Sequence, residues 1–417
     1  MEYQHLVFEE FGRKVQPLVN PFGEGGTGFN ATVDAAITAE FAHAVYRFGH
    51  SMLTETVGRT RADGTDDSID LFDAFLNPLR YFDGLDPATD PEAARKAAGN
   101  IVRGTTRQIG NEIDEFVTEA LRNQLLGLPL DLATLNLARA RDTGIPRLNE
   151  ARRQFFQRTQ NSALAPYADW VELGLGLRNR ASLVNFMAAY GTHPTIAGTM
   201  AERRAAAQAI LDLDPSVADA SDFLNSTGAY VPVNGRTTSG VDDIDLWVGG
   251  LAEKPAVFGG LLGATFNYVF ETQLEDLQDG DRFYYLSRTA GLNLLVQLEG
   301  NSFAELIQRN TDAEGLAADV FSVPAYVFNL AAQTDAAGIV DDLTTPEYDE
   351  RLLLIRRPDG TIRYTGPEHV VFNGAAGNDR LWASEGDDTI RGNNGNDWMN
   401  GGDGNDNLVG GLGDDIL

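Results

Sequence analysis

Cysteine is absent from this 417-residue chain, which removes disulfides, a thiolate nucleophile and every Cys-based zinc or iron–sulfur site. Cationic charge is scarce: 32 Lys and Arg face 61 Asp and Glu, a formal net charge of −29. There is no basic run. So acidic a surface repels phosphate backbones and anionic lipid, making nucleic acid and membrane poor partners unless a local basic patch overrides the field. Long apolar runs are missing as well, and no window reaches the ~18 consecutive apolar residues of a spanning helix. The start, Met1-Glu-Tyr3-Gln-His5, lacks the basic n-region and apolar core of a signal peptide, so any export would use a signal elsewhere. An amphipathic stripe of Tyr3, Leu6, Val7 and Phe11 is already under way there, and the chain reads as part of a longer protein. H-E-x-x-H, G-x-S-x-G and Walker A sequences are missing. Residues 23–28, Gly-Glu-Gly-Gly-Thr-Gly, formally match G-x-G-x-x-G. No strand precedes them and no βαβ unit follows, so they read as a flexible loop rather than a dinucleotide site.

What is present suffices for a full core, since 43% of residues are hydrophobic, and the length allows two or three domains. Residues 1–345 show mostly helical periodicity in Ala- and Leu-rich stretches broken by Gly/Pro/Asp clusters. Short β-like segments follow in 346–373, namely Leu352–Ile355, Ile362–Tyr364 and Val370–Phe372, with a Pro358-Asp-Gly360 turn. In 374–417, 11 of 44 residues are Gly and 8 are Asp, and apolar residues recur singly rather than at helical spacing. The expected organisation is a mainly α domain over 1–345, a linker with short strands over 346–373 and a parallel β-roll over 374–417.

The roll is expected from a strict period. Asp379, Asp388, Asp397, Asp406 and Asp415 stand nine residues apart, each two after a glycine and two before Leu381, Ile390, Met399, Leu408 or Leu417. This is the G-G-x-G-x-D-x-U-x nonapeptide of calcium-binding β-rolls. Its glycines let the backbone turn with carbonyls inward, its aspartates supply carboxylates and its U residues fill a narrow core. Oxygen ligands at flexible distances suit Ca²⁺ better than Mg²⁺. The first two repeats are worn, with Ala375 and Ala383-Ser384 in place of glycines, and the chain stops inside the fifth. A disordered Gly/Asp linker would not hold a period of nine.

Histidine is the other scarce type, with only His5, His43, His50, His193 and His369. Over 35–56 the pattern is helical: Phe41, Val45, Phe48 and Met52 form one stripe, with Glu40, His43, Arg47, His50 and Thr54 opposite. By pattern alone that second stripe is a solvated face. The wording of the segment says more. Glu40-Phe-Ala-His43-Ala-Val-Tyr46-Arg47-Phe-Gly-His50-Ser51 resembles the proximal-helix motif of the animal haem peroxidase family, within the peroxidase/cyclooxygenase superfamily. The segment from Asp131 to Pro146, with Asn136, Arg139, Arg141 and Asp142, resembles that family's Asn-x-x-Arg-x-Arg-Asp-x-Gly-x-Pro block. The stretch from Asp243 to Pro255, together with Asp279-Gly-Asp281-Arg-Phe283, resembles its C-terminal signature. With the nonapeptides, the chain is similar to bacterial peroxidases of the peroxicin type.

The resemblance implies that His50 is the axial ligand of haem b and that Asn136 bonds the far nitrogen of its imidazole, fixing tautomer and ring orientation. It also implies that Arg47 and Arg139 pair with the haem propionates, which a planar guanidinium suits. Arg47 stands where the cyclooxygenase branch carries its radical tyrosine, and Tyr46 would point about 100° away, which disfavours fatty-acid dioxygenation. Thr143 and Leu148 depart from the family's usual histidine and aromatic without touching a proposed role. The family's distal histidine block, calcium loop and distal arginine have no counterpart here, so no catalytic acid/base is identified and the chain is expected to be a fragment lacking that half. His43 and His193 are poor substitutes. Acidic pairs such as Asp66-Asp67 and Asp242-Asp243 read as solvated loop charges, Asp279-Gly-Asp281 as a turn with Arg282 and Phe283 packed behind it, and Trp247 as core.

The implied whole is a secreted, extracellular haem peroxidase that uses H2O2 to oxidise a small electron donor or halide and carries calcium-binding repeats, exported by a type I route. Covalent haem attachment in the full-length protein stays open, because the acidic residues concerned would lie upstream. The rival expectation is a non-catalytic calcium-binding extracellular or adhesion protein with a degenerate peroxidase domain.

Overall fold

A computed structural model of the chain describes residues 29–123, 125, 128–255, 260–285, 302–330, 347–349 and 354–417. The amphipathic stripe at Tyr3–Phe11, His5, the loop at 23–28 and Leu352 fall outside the described residues. Contacts divide the chain into two units, Met1–Glu55 with Gly110–Leu298 and Thr56–Ile109 with Glu299–Leu417.

The first unit is helical. Its main helices are Leu132–Asp142, Leu148–Thr159, Trp170–Gly176, Leu183–Tyr190, Met200–Leu211, Leu246–Ala252 and Ala264–Asp279. Asp131, Asp169 and Thr199 cap three of these by accepting from backbone N–H groups in the first turn. Their apolar faces enclose Trp170, Phe223, Trp247, Phe266 and Phe270, all at most 2% exposed, and a buried ring of this size contributes roughly 1.5–3 kcal/mol.

The helix expected over 35–56 is cut into Ala39–His43, a 3-10 turn Val45–Phe48 and Gly49–Met52. Ala44 leaves the helical region at φ −130° and ψ −70°. Tertiary hydrogen bonds replace helical ones: the Trp247 indole N–H donates to the Arg47 carbonyl at 3.3 Å and Asn111 N–H to Met52 O at 3.1 Å. With those carbonyls served from outside, the continuous ladder is not required. Packing still follows the stripe. Phe41 and Phe48 lie 5.9 and 5.7 Å from the Phe270 ring, while Gln273 accepts from Thr38 N–H and donates to Ala36 O.

In the second unit, β1 (Thr56–Val57) and β2 (Ile69–Asp70) pair antiparallel beside the helix Ala93–Thr105. The remaining strands are β3 (Tyr326–Asn329), β4 (Glu347–Asp349), β5 (Leu354–Arg356), β6 (Ile362–Tyr364), β7 (Val370–Asn373), β8 (Arg380–Trp382), β9 (Thr389–Asn394), β10 (Trp398–Asn400) and β11 (Asn407–Leu412). They form two sheets, ordered β10-β8-β6-β5-β4 and β11-β9-β7-β3. Trp398 pairs with Arg380 and Asn407 with Thr389, all in parallel. One coil of the roll is therefore two nonapeptides, and alternate repeats feed alternate sheets. Leu381, Ile390 and Met399 fill the interior at 0–2% exposure, whereas Leu417 is 63% exposed. The described chain is thus mainly α followed by a parallel β-roll, as its two composition regimes imply. Among the described residues no helix is long and apolar enough to cross a membrane.

Candidate functional site

His50 sits at the start of the short helix Gly49–Met52, half-buried. Its Nδ1 lies 2.8 Å from the Asn136 side-chain amide nitrogen, across 86 residues of sequence. Asn136 is fully buried on the helix Leu132–Asp142, and its Oδ1 accepts from Arg47 at 3.2 Å. Burial, helped by the neighbouring Arg47 charge, holds the His50 imidazole below its ordinary pKa, so the ring stays neutral at physiological pH. Neutral imidazole is the form that binds a metal.

Arg47 is itself pushed below the usual arginine range, first by burial and then by Arg139. Its Nε is buried without a hydrogen-bond partner, and among the described residues neither Arg47 nor Arg139 pairs with a carboxylate. Two guanidinium charges beside a neutral imidazole, with no acid among the described residues to neutralise them, fit a group bearing two carboxylates. That is the chemistry of a haem edge. As oriented here, the Asn136 N–H donates to Nδ1, which places the proton of neutral His50 on Nε2. Turning the amide by 180° makes Oδ1 the acceptor of Nδ1–H and frees the Nε2 lone pair; the same turn ends the bond to Arg47 and releases its guanidinium.

Three residues of the helical unit were only partly legible in the sequence. Trp247 is core, at 1% exposure, and additionally holds the backbone of Arg47. Asp245, 3% exposed, accepts from Arg141, Arg147 and Tyr190, locking the asparagine helix to its neighbours. Glu253, also 3% exposed, accepts from Arg152, Thr265 and Tyr167. Both acids lie in the block from Asp243 to Pro255, and that membership was the available signal. Burial beside Glu253 and beside Asp245 pushes the Tyr167 and Tyr190 hydroxyls well above their ordinary range.

Other expectations need correction. Asp242 is no solvated charge: its side chain is 9% exposed against Arg153 and accepts from Thr237 N–H. Asp67 likewise bridges Arg59 and Arg61, while Asp66 bonds within its own turn to Ser68. Phe283 is 69% exposed, and Arg282 stacks over Phe29 at 5.4 Å. His193 is buried and committed, with Nδ1 on Thr195 and Nε2 on Asp219. His43 closes the helix Ala39–His43, its Nδ1 buried without a partner.

In the roll, the repeated carboxylates bond one coil back. Asp388 Oδ1 accepts from Val370 N–H, Asp397 from Asp379 N–H, Asp406 from Asp388 N–H and Asp415 from Asp397 N–H, all at 2.7–2.9 Å. Asp379 accepts from Ala375 N–H. In Asp379, Asp397, Asp406 and Asp415 the second oxygen points at the glycine five residues earlier, where a Cβ would collide with it. Gly402, at φ +106°, turns the chain against Ser384 O in a conformation L side chains rarely adopt. Asp397 Oδ2 is buried with no partner, and burial, aided by Asp406 and Asp387, pushes Asp388 up to about 6. Desolvated carboxylate oxygens beside backbone carbonyls fit a hard cation such as Ca²⁺. Among the described residues no three acidic or histidine side chains converge, so the remaining ligands would be main-chain oxygens.

Comparison with known proteins agrees with both regions. The animal haem peroxidase model matches residues 2–209 and 237–321, and the RTX calcium-binding nonapeptide repeat model matches 371–398 and 382–417. Peroxinectin A of Dictyostelium discoideum is 28% identical over 298 residues, 69% of this chain and 42% of that protein. Thyroid peroxidase of Rattus norvegicus is 26% identical over 307 residues, 71% of this chain and 26% of that protein. Among solved structures, peroxidase A from Dictyostelium discoideum is 26% identical with a TM-score of 0.43, covering 68% of this chain and 42% of that one. The chain thus spans less than half the length of these relatives.

Proposed function

Because this chain belongs to the animal haem peroxidase family and carries RTX calcium-binding repeats, we propose that its helical unit is the proximal half of a haem peroxidase. His50 holds haem iron, Asn136 fixes the imidazole, and Arg47 with Arg139 seats the propionates. The observation that carries this reading is the His50–Asn136 hydrogen bond beside two arginines that pair with no carboxylate among the described residues.

Haem bound there supplies the reduction of H2O2 and the oxidation of a small donor or halide. The chain's own residues do the positioning. With its amide turned, Asn136 Oδ1 accepts a hydrogen bond from Nδ1–H, which leaves Nε2 for the metal and raises ligand basicity. The helix Leu246–Ala252 holds this geometry through Trp247 and Asp245. A distal acid/base is a separate requirement. His193 is spent on Thr195 and Asp219, so turnover depends on groups beyond the described residues, and the chain acts as one part of a longer enzyme.

The aspartates Asp379, Asp388, Asp397, Asp406 and Asp415 are the calcium carboxylates in this proposal. Extracellular calcium modules bind at ~10⁻⁴–10⁻³ M, so the roll folds outside the cell after type I export, and the enzyme works there. Haemin titration in excess calcium tests the assignment. A saturable, red-shifted Soret band is expected for the wild type and a diffuse spectrum for His50→Ala, with Asn136→Leu about 10–100-fold weaker than wild type. Identical spectra for wild type and His50→Ala would overturn it.

A further inference from the structure

The outer face of one sheet of the roll carries a cluster that haem and calcium do not use. Along β6, β8 and β10 the side chains alternate, with Ile362, Tyr364, Leu381 and Met399 buried. Arg363, Arg380, Trp382, Trp398 and Asn400 therefore stand on the opposite face. Register sets Arg363 beside Trp382, Trp382 beside Asn400 and Arg380 beside Trp398. The guanidiniums of Arg357 and Arg363 each lie 4.4 Å from the Trp382 ring centre, and that of Arg380 lies 4.8 Å from the Trp398 ring. The two indoles meet nearly edge-on at 6.2 Å.

Among the described residues few carboxylates reach these arginines, although the chain has 61 of them. Arg380 reaches Asp359 at 3.6 Å and Thr361 Oγ1 at 3.2 Å. Among the described residues Arg357 and Arg363 reach none, and Arg363 Nε is buried without a hydrogen-bond partner. An indole face attracts a cation but accepts nothing from its N–H fork. Two like charges share one ring while their donors stay unfilled, an arrangement completed by oxyanions arriving from outside. Three strands and the turn after β5 bring these residues together, which is how a basic patch arises without any basic run.

We propose that this face binds an acidic polysaccharide, its carboxylate or sulfate groups seated on Arg357, Arg363 and Arg380 and its sugar rings against the indole edges. Charge complementarity selects the occupant. Duplex nucleic acid carries one charge per ~1.7 Å of axis, and a chain of net charge −29 repels so dense a polyanion beyond the patch. A saccharide with about one charge per sugar meets the same three arginines at a fraction of that repulsion.

The test is a titration of the full chain, saturated with calcium, with a chondroitin sulfate hexasaccharide, followed by tryptophan fluorescence and calorimetry. Saturable binding that weakens with added salt is expected. Arg363→Gln/Arg380→Gln should bind at least about tenfold more weakly, with the wild-type circular dichroism and melting midpoint. Arg357→Gln, in the turn after β5, should weaken binding without touching a strand and serves if the double variant misfolds. Arg363→Lys should not restore it, because ammonium lacks the planar fork. Unchanged affinity in folded variants, no saturable binding to the wild type, or tighter binding of single-stranded oligothymidylate of equal charge would each overturn the proposal.

Discussion

The helical unit and the roll both leave charges without an oppositely charged partner among the described residues, and the charges have opposite signs. Around His50, two guanidiniums crowd together with no carboxylate among the described residues. Along the roll, Asp388 is pushed up to about 6 and an oxygen of Asp397 is buried with no partner. Elsewhere the fold pairs its buried ions closely, as Asp245 with Arg141 and Arg147, or Glu253 with Arg152. A chain that neutralises those acids and bases yet leaves these others without an opposite charge matches the proposed seats for a dianionic cofactor in one region and a divalent cation in the other. The regions also differ in what holds them without their ligands. The helical unit has a large aromatic core, while the strands of the roll enclose a smaller apolar cluster.

That contrast breaks most sharply under chelation. Removing calcium should abolish hydrogen-exchange protection over 354–417, since repelling carboxylates then outweigh a narrow core, and leave the helices of the first unit protected. Equal loss in both regions would show that the units do not differ as described.

A smaller effect is expected within the helical unit. Asp245→Asn removes the charge that Arg141 and Arg147 share and should cost about 3 kcal/mol of stability by denaturant titration, with haemin affinity falling in parallel. If stability fell and haemin affinity held, Asp245 would not position the asparagine helix.

The smallest effect is a pH trend. The folded pKa of Asp388, about 6, exceeds the unfolded carboxylate value near 3.9. The folded state therefore binds more protons between those values, and stability falls as pH rises through that window. Without calcium, the roll should lose stability between pH 4 and 7; with calcium, which favours the ionised form, the trend should reverse. A calcium-free roll that grows more stable towards pH 7 would contradict the cause assigned to this shift.

Legibility in the sequence followed the range of each interaction. The nonapeptide period is local, so the roll and its buried Leu381, Ile390 and Met399 could be read directly. Pairing of two repeats into one coil, and with it the arginine–tryptophan face, appears only once strands from alternate nonapeptides are in register. His50, Asn136, Arg47 and Arg139 were legible because their motifs carry them. The Trp247 bond to Arg47 spans 200 residues and leaves no local trace, and such distant bonds break the helix that periodicity alone makes continuous over 35–56. Asp242 illustrates the same limit, since nothing near it in sequence reveals that Arg153 and Thr237 bury it.

The central claim, that unpaired arginines mark a seat for propionates, is met most directly by comparing haemin with its dimethyl ester, which lacks both carboxylate charges. Titrated into the calcium-saturated chain, haemin should bind at least about tenfold more tightly than the ester, and the preference should vanish in Arg47→Gln/Arg139→Gln. Equal affinity of the wild type for the two porphyrins, or a preference that survives in the double variant, would contradict it.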